Sequence, residues 1–353
     1  MTSLTADFPP ALPGELGRRV DRAMYLAQQA SLVAVLGPLV RMAQQLVPGT
    51  RAEPPSGAIA TIQRRYRELL DEDLANVRNG VYPRQLLFQI PIRDYAKALP
   101  ETFGDVPRVL RRVRRRAHDE LPRDVDLSAY PAYYRRTFHW QTDGWFSAKS
   151  ARIYDVGVEI LFGGTADVMR RQALPPLVAA LGEKRRPRLL DIACGTGRFL
   201  SQAHKALPNA RLYGLDLSPY YVAHARKVLR HVPDASFVAE NAEAMPFADA
   251  TFDAASSVFL FHELPKDARR NVAREAFRVL APGGRFVVCD SCQLSDSPEI
   301  THYLRQFAAQ YHEPYYKGYL DDDLATMLAE VGFVRTRTST HFLSKVVVAE
   351  KPG

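Results

Sequence analysis

The sequence predicts an α/β protein: a doubly wound, mostly parallel sheet in the C-terminal part, preceded by a mainly helical N-terminal domain. Three observations predict this. From about residue 185 onward, short apolar β-rich runs alternate with helical patterns. The first of these runs ends in a loop with two glycines that opens a helix. Before residue 150 the periodicity is helical and interrupted by prolines.

Taken in order, residues 1–16 are Pro-rich and predict poor order. Residues 18–47 read as helix. Their apolar stretch, Ala23 to Val47, is broken by Gln28, Gln29, Arg41, Gln44 and Gln45 and contains Gly37-Pro38, a step that kinks or splits a helix. A buried helix pair is the plain reading; a peripheral contact with lipid or a lipid-like substrate through residues 23–47 is the alternative. No run reaches ~18 uninterrupted apolar residues, so no transmembrane helix is expected. TRAEPPSG (50–57) reads as a linker, and Ile62 to Gly80 as a helix closed by Asn79-Gly80. Short helical pieces between prolines fill 81–131. Within them, six of the nine residues 108–116 are arginine, while Val109, Val113, Ala117 and Leu121 form a narrow apolar stripe. The arginines therefore face solvent or an anionic surface.

Strands are expected at 188–194, 210–217, 235–240, 252–260 and 285–291, with helices at 198–207, 219–231 and 265–280. Residues 333–351 read as two adjacent strands closing the sheet. This divides the chain into 1–16, a helical cap or substrate domain at 17–150, and an α/β domain at 151–353.

A length of 353 residues suits two domains, and 46% apolar residues is ordinary for a globular chain. The net charge of +8 suits an anionic partner, although the arginine run supplies much of it. The three cysteines, Cys194, Cys289 and Cys292, make no disulfide framework and suggest a reducing compartment. Cys289 and Cys292 form a C-x-x-C without two further ligands nearby, so they read as plain thiols and no metal site is expected. The N-terminus lacks a signal peptide's basic and apolar regions, and a cytoplasmic location is expected.

LLDIACGTGRFL (189–200) carries the strongest signal. A strand ends in Asp191, Gly195 and Gly197 turn the loop, and a helix starts near Arg198. Nineteen residues after Gly197, Asp216 ends the next strand, where a carboxylate accepts both ribose hydroxyls of a nucleoside. A dinucleotide fingerprint needs a third glycine where Leu200 stands. Asp191 would repel a pyrophosphate but suits an ammonium. S-adenosylmethionine (SAM) has an ammonium, a sulfonium and no phosphate, so the electrostatics favour it.

With AENAEAMPFADATFDAASSVFLFHEL and RVLAPGGRFVVCDS following in order, this loop and GLDLS resemble the motifs of class I SAM-dependent methyltransferases, in the ubiquinone/menaquinone-biosynthesis-like (methyltransferase type 11) branch. The resemblance covers roughly residues 150–350. It implies a seven-stranded Rossmann-like sheet with an antiparallel last strand. It also implies that Asp191, Ala193, Gly195 and Gly197 surround the methionine part, Asp216 the ribose, Leu217 the adenine, and Asn241 and Ala242 the adenine edge. Phe259 would line the wall near the sulfonium. Two positions depart from the pattern: Ala193 replaces a frequent glycine, and Asn241 a frequent aspartate.

Methyl transfer is an in-line displacement that needs positioning, desolvation and, for O- and N-acceptors, a base. By family position His262 and Glu263 lie near the methyl; either serves as base, or Glu263 caps a helix and His262 packs. Thr301 to Leu320 holds five tyrosines and two histidines, with Tyr303, His312, Tyr315 and Tyr316 the candidate acceptor contacts. Residues 130–162 hold nine aromatics, including both tryptophans. FHWQTDGWFS (138–147) reads as a lid over the acceptor, with His139, Trp140, Gln141, Asp143 and Trp145 as contacts and Tyr154 touching the cofactor. An interdomain aromatic core is the other reading.

The function expected is methyl transfer from SAM to a small, partly apolar acceptor. Alternatives are an RNA methyltransferase, which the charge suits but no catalytic or RNA-binding motif supports, and a non-catalytic SAM-binding or interaction protein.

Overall fold

The computed structural model describes residues 14–46 and 56–353. The N-terminal part is helical: α1 (Gly14–Leu46), α2 (Ala58–Arg78), α3 (Ile92–Arg115), α4 (Ala148–Leu161), α5 (Ala166–Arg171) and α6 (Leu174–Leu181). Strands and helices then alternate: β1 (Arg188–Ile192), α7 (Arg198–Ala206), β2 (Arg211–Asp216), α8 (Pro219–Val228), β3 (Ala235–Ala239), β4 (Phe252–Val258), α9 (Lys266–Val279) and β5 (Leu280–Ser291). After α10 (Thr301–Tyr311), α11 (Tyr316–Leu320) and α12 (Leu324–Val331), β6 (Val334–His341) and β7 (Ser344–Glu350) complete the sheet.

The sheet order is β3-β2-β1-β4-β5-β7-β6. β1 to β5 pair in parallel, and β7 runs antiparallel to both β5 and β6. The expected seven strands and antiparallel last strand are both present. Two-residue alternation sorts the side chains onto two cores. Leu190, Ile192, Phe286, Val288, Val347 and Ala349 face α9 and α12, whereas Leu189, Val287, Cys289 and Val346 face α6 and α7. Both faces are covered, so the central strands read as apolar runs. The chain reverses its direction of winding between β1 and β4, which opens a crevice at their C-terminal ends.

Several expectations need correction. α1 runs unbroken through Gly37-Pro38. Ala34, whose carbonyl loses its partner to the proline, is exposed, so water can replace that hydrogen bond. The helix is also mostly exposed rather than a buried pair: in residues 14–38 only Gly17, Tyr25 and Gln29 are buried, and Val33 and Val35 face solvent. Gly14 to Leu16 are helical, while the rest of the Pro-rich start and most of the 50–57 linker lie outside the described residues. α3 continues across Pro100 and Pro107, held by Ala98, Tyr95 and Leu99 packing on Ile153, Val156 and Ile160 of α4. It ends at Arg115, so Ala117 and Leu121 fall outside it. Of its arginines, Arg112 is buried and reaches Thr142 and Asp105; the others of the run are exposed. No helix among the described residues is long and apolar enough to cross a membrane. All three cysteines are free and buried.

A buried polar knot ties α1, α2 and α5 together. Arg171 grips Asp73 with two guanidinium bonds, and Tyr25 and Tyr82 donate to the same carboxylate at 2.5 and 2.6 Å. Asp73 is 0% exposed, so its charge is stabilised wholly by these donors.

Candidate functional site

At the C-terminal end of β1, Asp191 is 1% exposed and accepts a hydrogen bond from Ser256 of β4 at 2.8 Å. Burial pushes its carboxyl up to about 7, with the Ser256 bond and Arg170 pulling the other way. The loop that follows takes left-handed backbone at Ala193 (φ 58°), Gly195 (φ 53°) and Gly197 (φ 78°). The two glycines serve different ends. A Cβ on Gly197 would meet Leu229 at 2.8 Å and Ala225 at 3.0 Å, so this glycine lets α7 pack against α8. A Cβ on Gly195 would meet nothing within 4 Å, so open space lies over that backbone.

Asp216, ending β2, accepts the Gly195 and Ser218 N–H groups at 2.9 Å each. These bonds fix the carboxylate beside the loop and leave lone pairs for further donors. Burial raises it to about 6 against those bonds. On β4, beside Ile192, the buried Ser257 hydroxyl has no partner. Open space over a glycine, two strand-end acids and an orphaned hydroxyl fit a ligand with an ammonium and a ribose. SAM is such a ligand. Asn241 spends its amide oxygen on the Glu243 N–H at 2.9 Å, which leaves its NH₂ the free end of that group. Leu217 and Ala242 are half-buried in the loops after β2 and β3. Phe259 (φ 60°) stacks on Phe162 at 6.0 Å and carries Arg170 over its ring at 5.9 Å, so it joins the site to the helical part.

After β4, His262 sets its Nδ1 2.6 Å from Asp290 of β5, a carboxylate that is 0% exposed and also accepts the Phe261 and Ser291 N–H groups. Burial works to lower the imidazole, but the Asp290 carboxylate outweighs it and His262 titrates above its ordinary value. Glu263 does not cap a helix; it meets His139 Nε2 at 3.3 Å.

His139 (φ 52°) therefore reaches the site from the cap. Its Nδ1 lies 3.0 Å from Glu313, which follows α10 and is fully buried. Burial pushes the Glu313 carboxyl up, and the neighbouring imidazole opposes this. Trp145 packs with Phe138, Tyr154 and Tyr221, and its carbonyl accepts from Ser218 Oγ at 2.5 Å. Tyr133 donates to Glu243 at 2.7 Å, and Thr196 of the glycine loop to Asp155 of α4 at 3.0 Å. FHWQTDGWFS thus packs as an aromatic cluster with α4 and α8, and reaches the loops after β2 and β4 through the Trp145 carbonyl and His139.

The remaining candidates are scattered. Tyr316 is buried in the sheet core, its hydroxyl bonded to Ser291 at 2.5 Å and its ring 5.9 Å from His262. Tyr315 meets Tyr133 edge-on at 6.4 Å. His312 stacks on His118 at 4.8 Å, and burial lowers it to about 4. Tyr303 lies beside His302 at the rim of the core. Asp143 stands in a left-handed turn (φ 67°), and the side chain of Trp140 is outside those described. Asp290, Glu313, Ser256 and Ser257 were not picked out from sequence. Asp290 ends a parallel strand in RFVVCDS and could have been found by that rule; Glu313 carried no signal.

Two cavities lie away from this edge. A groove of about 550 Å³ runs between α2, α6 and the β6–β7 face, and a cavity of about 80 Å³ sits under α1. Neither includes the glycine loop or the strand-end acids.

Residues 189–284 match the family model for a methyltransferase domain. Together with the sheet order and the strand-end acids, this gives the chain a methyltransferase domain that uses SAM as its cofactor. The ubiquinone/menaquinone biosynthesis C-methyltransferase UbiE of Methylobacterium nodulans is 39% identical over 142 residues, which cover 39% of this chain and 54% of that protein. The demethylmenaquinone methyltransferase of Beutenbergia cavernae is 37% identical over 146 residues, covering 40% of this chain and 54% of the relative. The chain thus spans about half the length of these curated relatives. A Haemonchus contortus phosphoethanolamine N-methyltransferase structure aligns at 15% identity over 52% of this chain and 53% of that one, with a TM-score of 0.43.

Proposed function

We propose that the protein transfers a methyl group from SAM to a small, partly apolar, ring-bearing acceptor held between the C-terminal sheet edge and the aromatic cap. The observation that carries this is the contact of the cap with a loop that borders the cofactor site, Trp145 on Ser218, beside which Asp155 of α4, the helix that leads out of the cap, holds Thr196 of the glycine loop. The relatives' activities, C-methylation in ubiquinone/menaquinone biosynthesis and demethylmenaquinone methylation, support a quinol-like acceptor for this chain.

When bound, SAM supplies a methyl group already activated on a sulfonium. Asp191 holds its ammonium, Asp216 takes the ribose hydroxyls, and Gly195 admits it to the backbone. The rings of Trp145, Tyr154 and Tyr134 exclude water and give an acceptor ring flat apolar area. His262 takes the acceptor's proton at Nε2, because Asp290 occupies Nδ1 and stabilises the imidazolium that results.

Calorimetric titration with SAM and S-adenosylhomocysteine, followed by a by-product-release screen over phenols, hydroquinones and thiols, tests this. A hydroquinone or phenol that releases S-adenosylhomocysteine is the expected result. Absence of affinity for either cofactor form refutes the reading. A chain truncated before residue 151 that still methylates the same acceptor at the full rate refutes the role of the cap.

A further inference from the structure

We propose that His139, Glu263 and Glu313 form a divalent-cation site of the 1-His-2-carboxylate kind, placed where the cap closes on the sheet edge. Its use in methyl transfer rests on the reading above; its existence does not. The three residues come from three separate segments: the cap turn, the turn after β4 and the chain after α10. One ligand atom from each lies within 4.8 Å of the others. A cation bonded to three such atoms at about 2.1 Å draws them to within about 3.5 Å, an adjustment of about 1 Å by side-chain rotation.

The surroundings call for a cation. The Glu313 side chain is 0% exposed; the His139 ring at 3.0 Å is its one ion-pair contact among the described residues, and neither carboxylate oxygen has a hydrogen-bond partner. A buried carboxylate in that state is strongly unfavourable unless it is paired or bound to a metal. No lysine or arginine among the described residues is hydrogen-bonded to Glu313 or Glu263, and Asp290 and Asp216 add negative charge nearby. His139 Nδ1, 3.0 Å from Glu313, is likewise buried without a hydrogen bond. Two carboxylates and a neutral imidazole balance a 2+ ion. Mixed O and N ligands select a first-row ion such as Mn²⁺, Fe²⁺ or Zn²⁺ over a softer metal. Three protein ligands leave positions open for an acceptor oxygen, whose proton the ion would loosen as a Lewis acid. That selects acceptors with a ring hydroxyl at the methylated position or next to it.

The test uses the full chain, freed of metal by dialysis against a chelator. Mn²⁺ is titrated in, with free Mn²⁺ followed by electron paramagnetic resonance and Tm by fluorimetry. One tightly held Mn²⁺ per chain and a rise in Tm are expected. His139→Ala and Glu313→Gln should each weaken binding by at least about tenfold. S-adenosylhomocysteine affinity, measured in parallel, reports that each variant is folded. If Glu313→Gln does not fold, Glu263→Gln is read in its place. A wild-type chain that holds neither Mn²⁺ nor Zn²⁺ above background, or variants that bind as well as wild type, overturns the site. Mn²⁺ binding without S-adenosylhomocysteine binding would uphold the cation site and refute the methyltransferase reading; the reverse would refute only the cation site.

Discussion

The affinity for S-adenosylhomocysteine should depend steeply on pH, because Asp191, the acid we assign to the cofactor's ammonium, is protonated in the free protein over much of the accessible range. Burial holds Asp191 near 7, about three units above its ordinary 3.8, with Arg170 and Asp216 the charges around it. A bound ammonium favours the carboxylate and draws this value back down. Binding between 3.8 and 7 therefore expels about one proton, and the apparent association constant falls about tenfold for each pH unit below 7. From pH 8 to pH 5 the loss is about a hundredfold, or about 2.7 kcal/mol at 1.36 kcal/mol per unit. Asp216, near 6, makes the slope steeper below that pH.

The stability of the free fold runs the opposite way. An acid whose folded value is raised stabilises the fold when protonated, and that contribution is lost as pH rises from 3.8 to about 7. The Tm gain from cofactor should accordingly be larger at pH 8 than at pH 5.5. Calorimetry from pH 5 to 8, with two buffers of different ionisation heat at pH 6, measures both the slope and the proton count. Asp191→Asn should bind weakly and lose most of the slope between 6 and 7. A wild-type affinity that is flat from pH 5 to 8 would refute the assignment of Asp191 to the ammonium.

Asp216→Ala should cripple cofactor binding, by at least about tenfold in calorimetry, because it removes the ribose acceptor and frees the Gly195 and Ser218 N–H groups. Gly195→Ala should cost about 1 kcal/mol of stability for its left-handed backbone but lose cofactor affinity, whereas Gly197→Ala should lower Tm more, since its Cβ strikes Leu229; equal Tm losses would contradict the division of roles. Asp290→Asn should leave S-adenosylhomocysteine binding within about threefold and slow turnover by about a hundredfold, and unchanged turnover would remove His262 as the base. Asp73→Ala should destabilise by about 3–5 kcal/mol in urea unfolding, because Arg171 is left buried and unpaired.

The sheet was legible from sequence because strands buried on both faces are apolar runs bounded by loops, and the glycine loop marks where the first one ends. Asp191 and Asp216 stood out for the same reason: each is the first charge after such a run. The helical part was harder. Prolines at 38, 100 and 107 read as breaks, yet α1 and α3 continue through them; packing on α4 decides the case of α3, and local sequence carries no trace of it. The His139–Glu263–Glu313 cluster lay beyond reach for a related reason. Its members are 124 residues apart at one step and 50 at the next, and only the fold of the cap onto the sheet makes them neighbours.

That closure joins the two halves of the proposed chemistry. Asp216 fixes the Ser218 N–H, Ser218 holds the Trp145 carbonyl, and Trp145 packs against the His139 ring at 6.0 Å. His139 in turn stands between Glu263 of the β4 loop and Glu313 behind α10. A continuous chain of contacts therefore runs from Asp216 to the His139–Glu263–Glu313 cluster. A cap that opens must break the Ser218 bond and separate His139 from both glutamates, and so loosens the nucleoside end and the acceptor end together. A cap that closes restores both, and on the function proposed above this would place water exclusion and acceptor positioning in one movement.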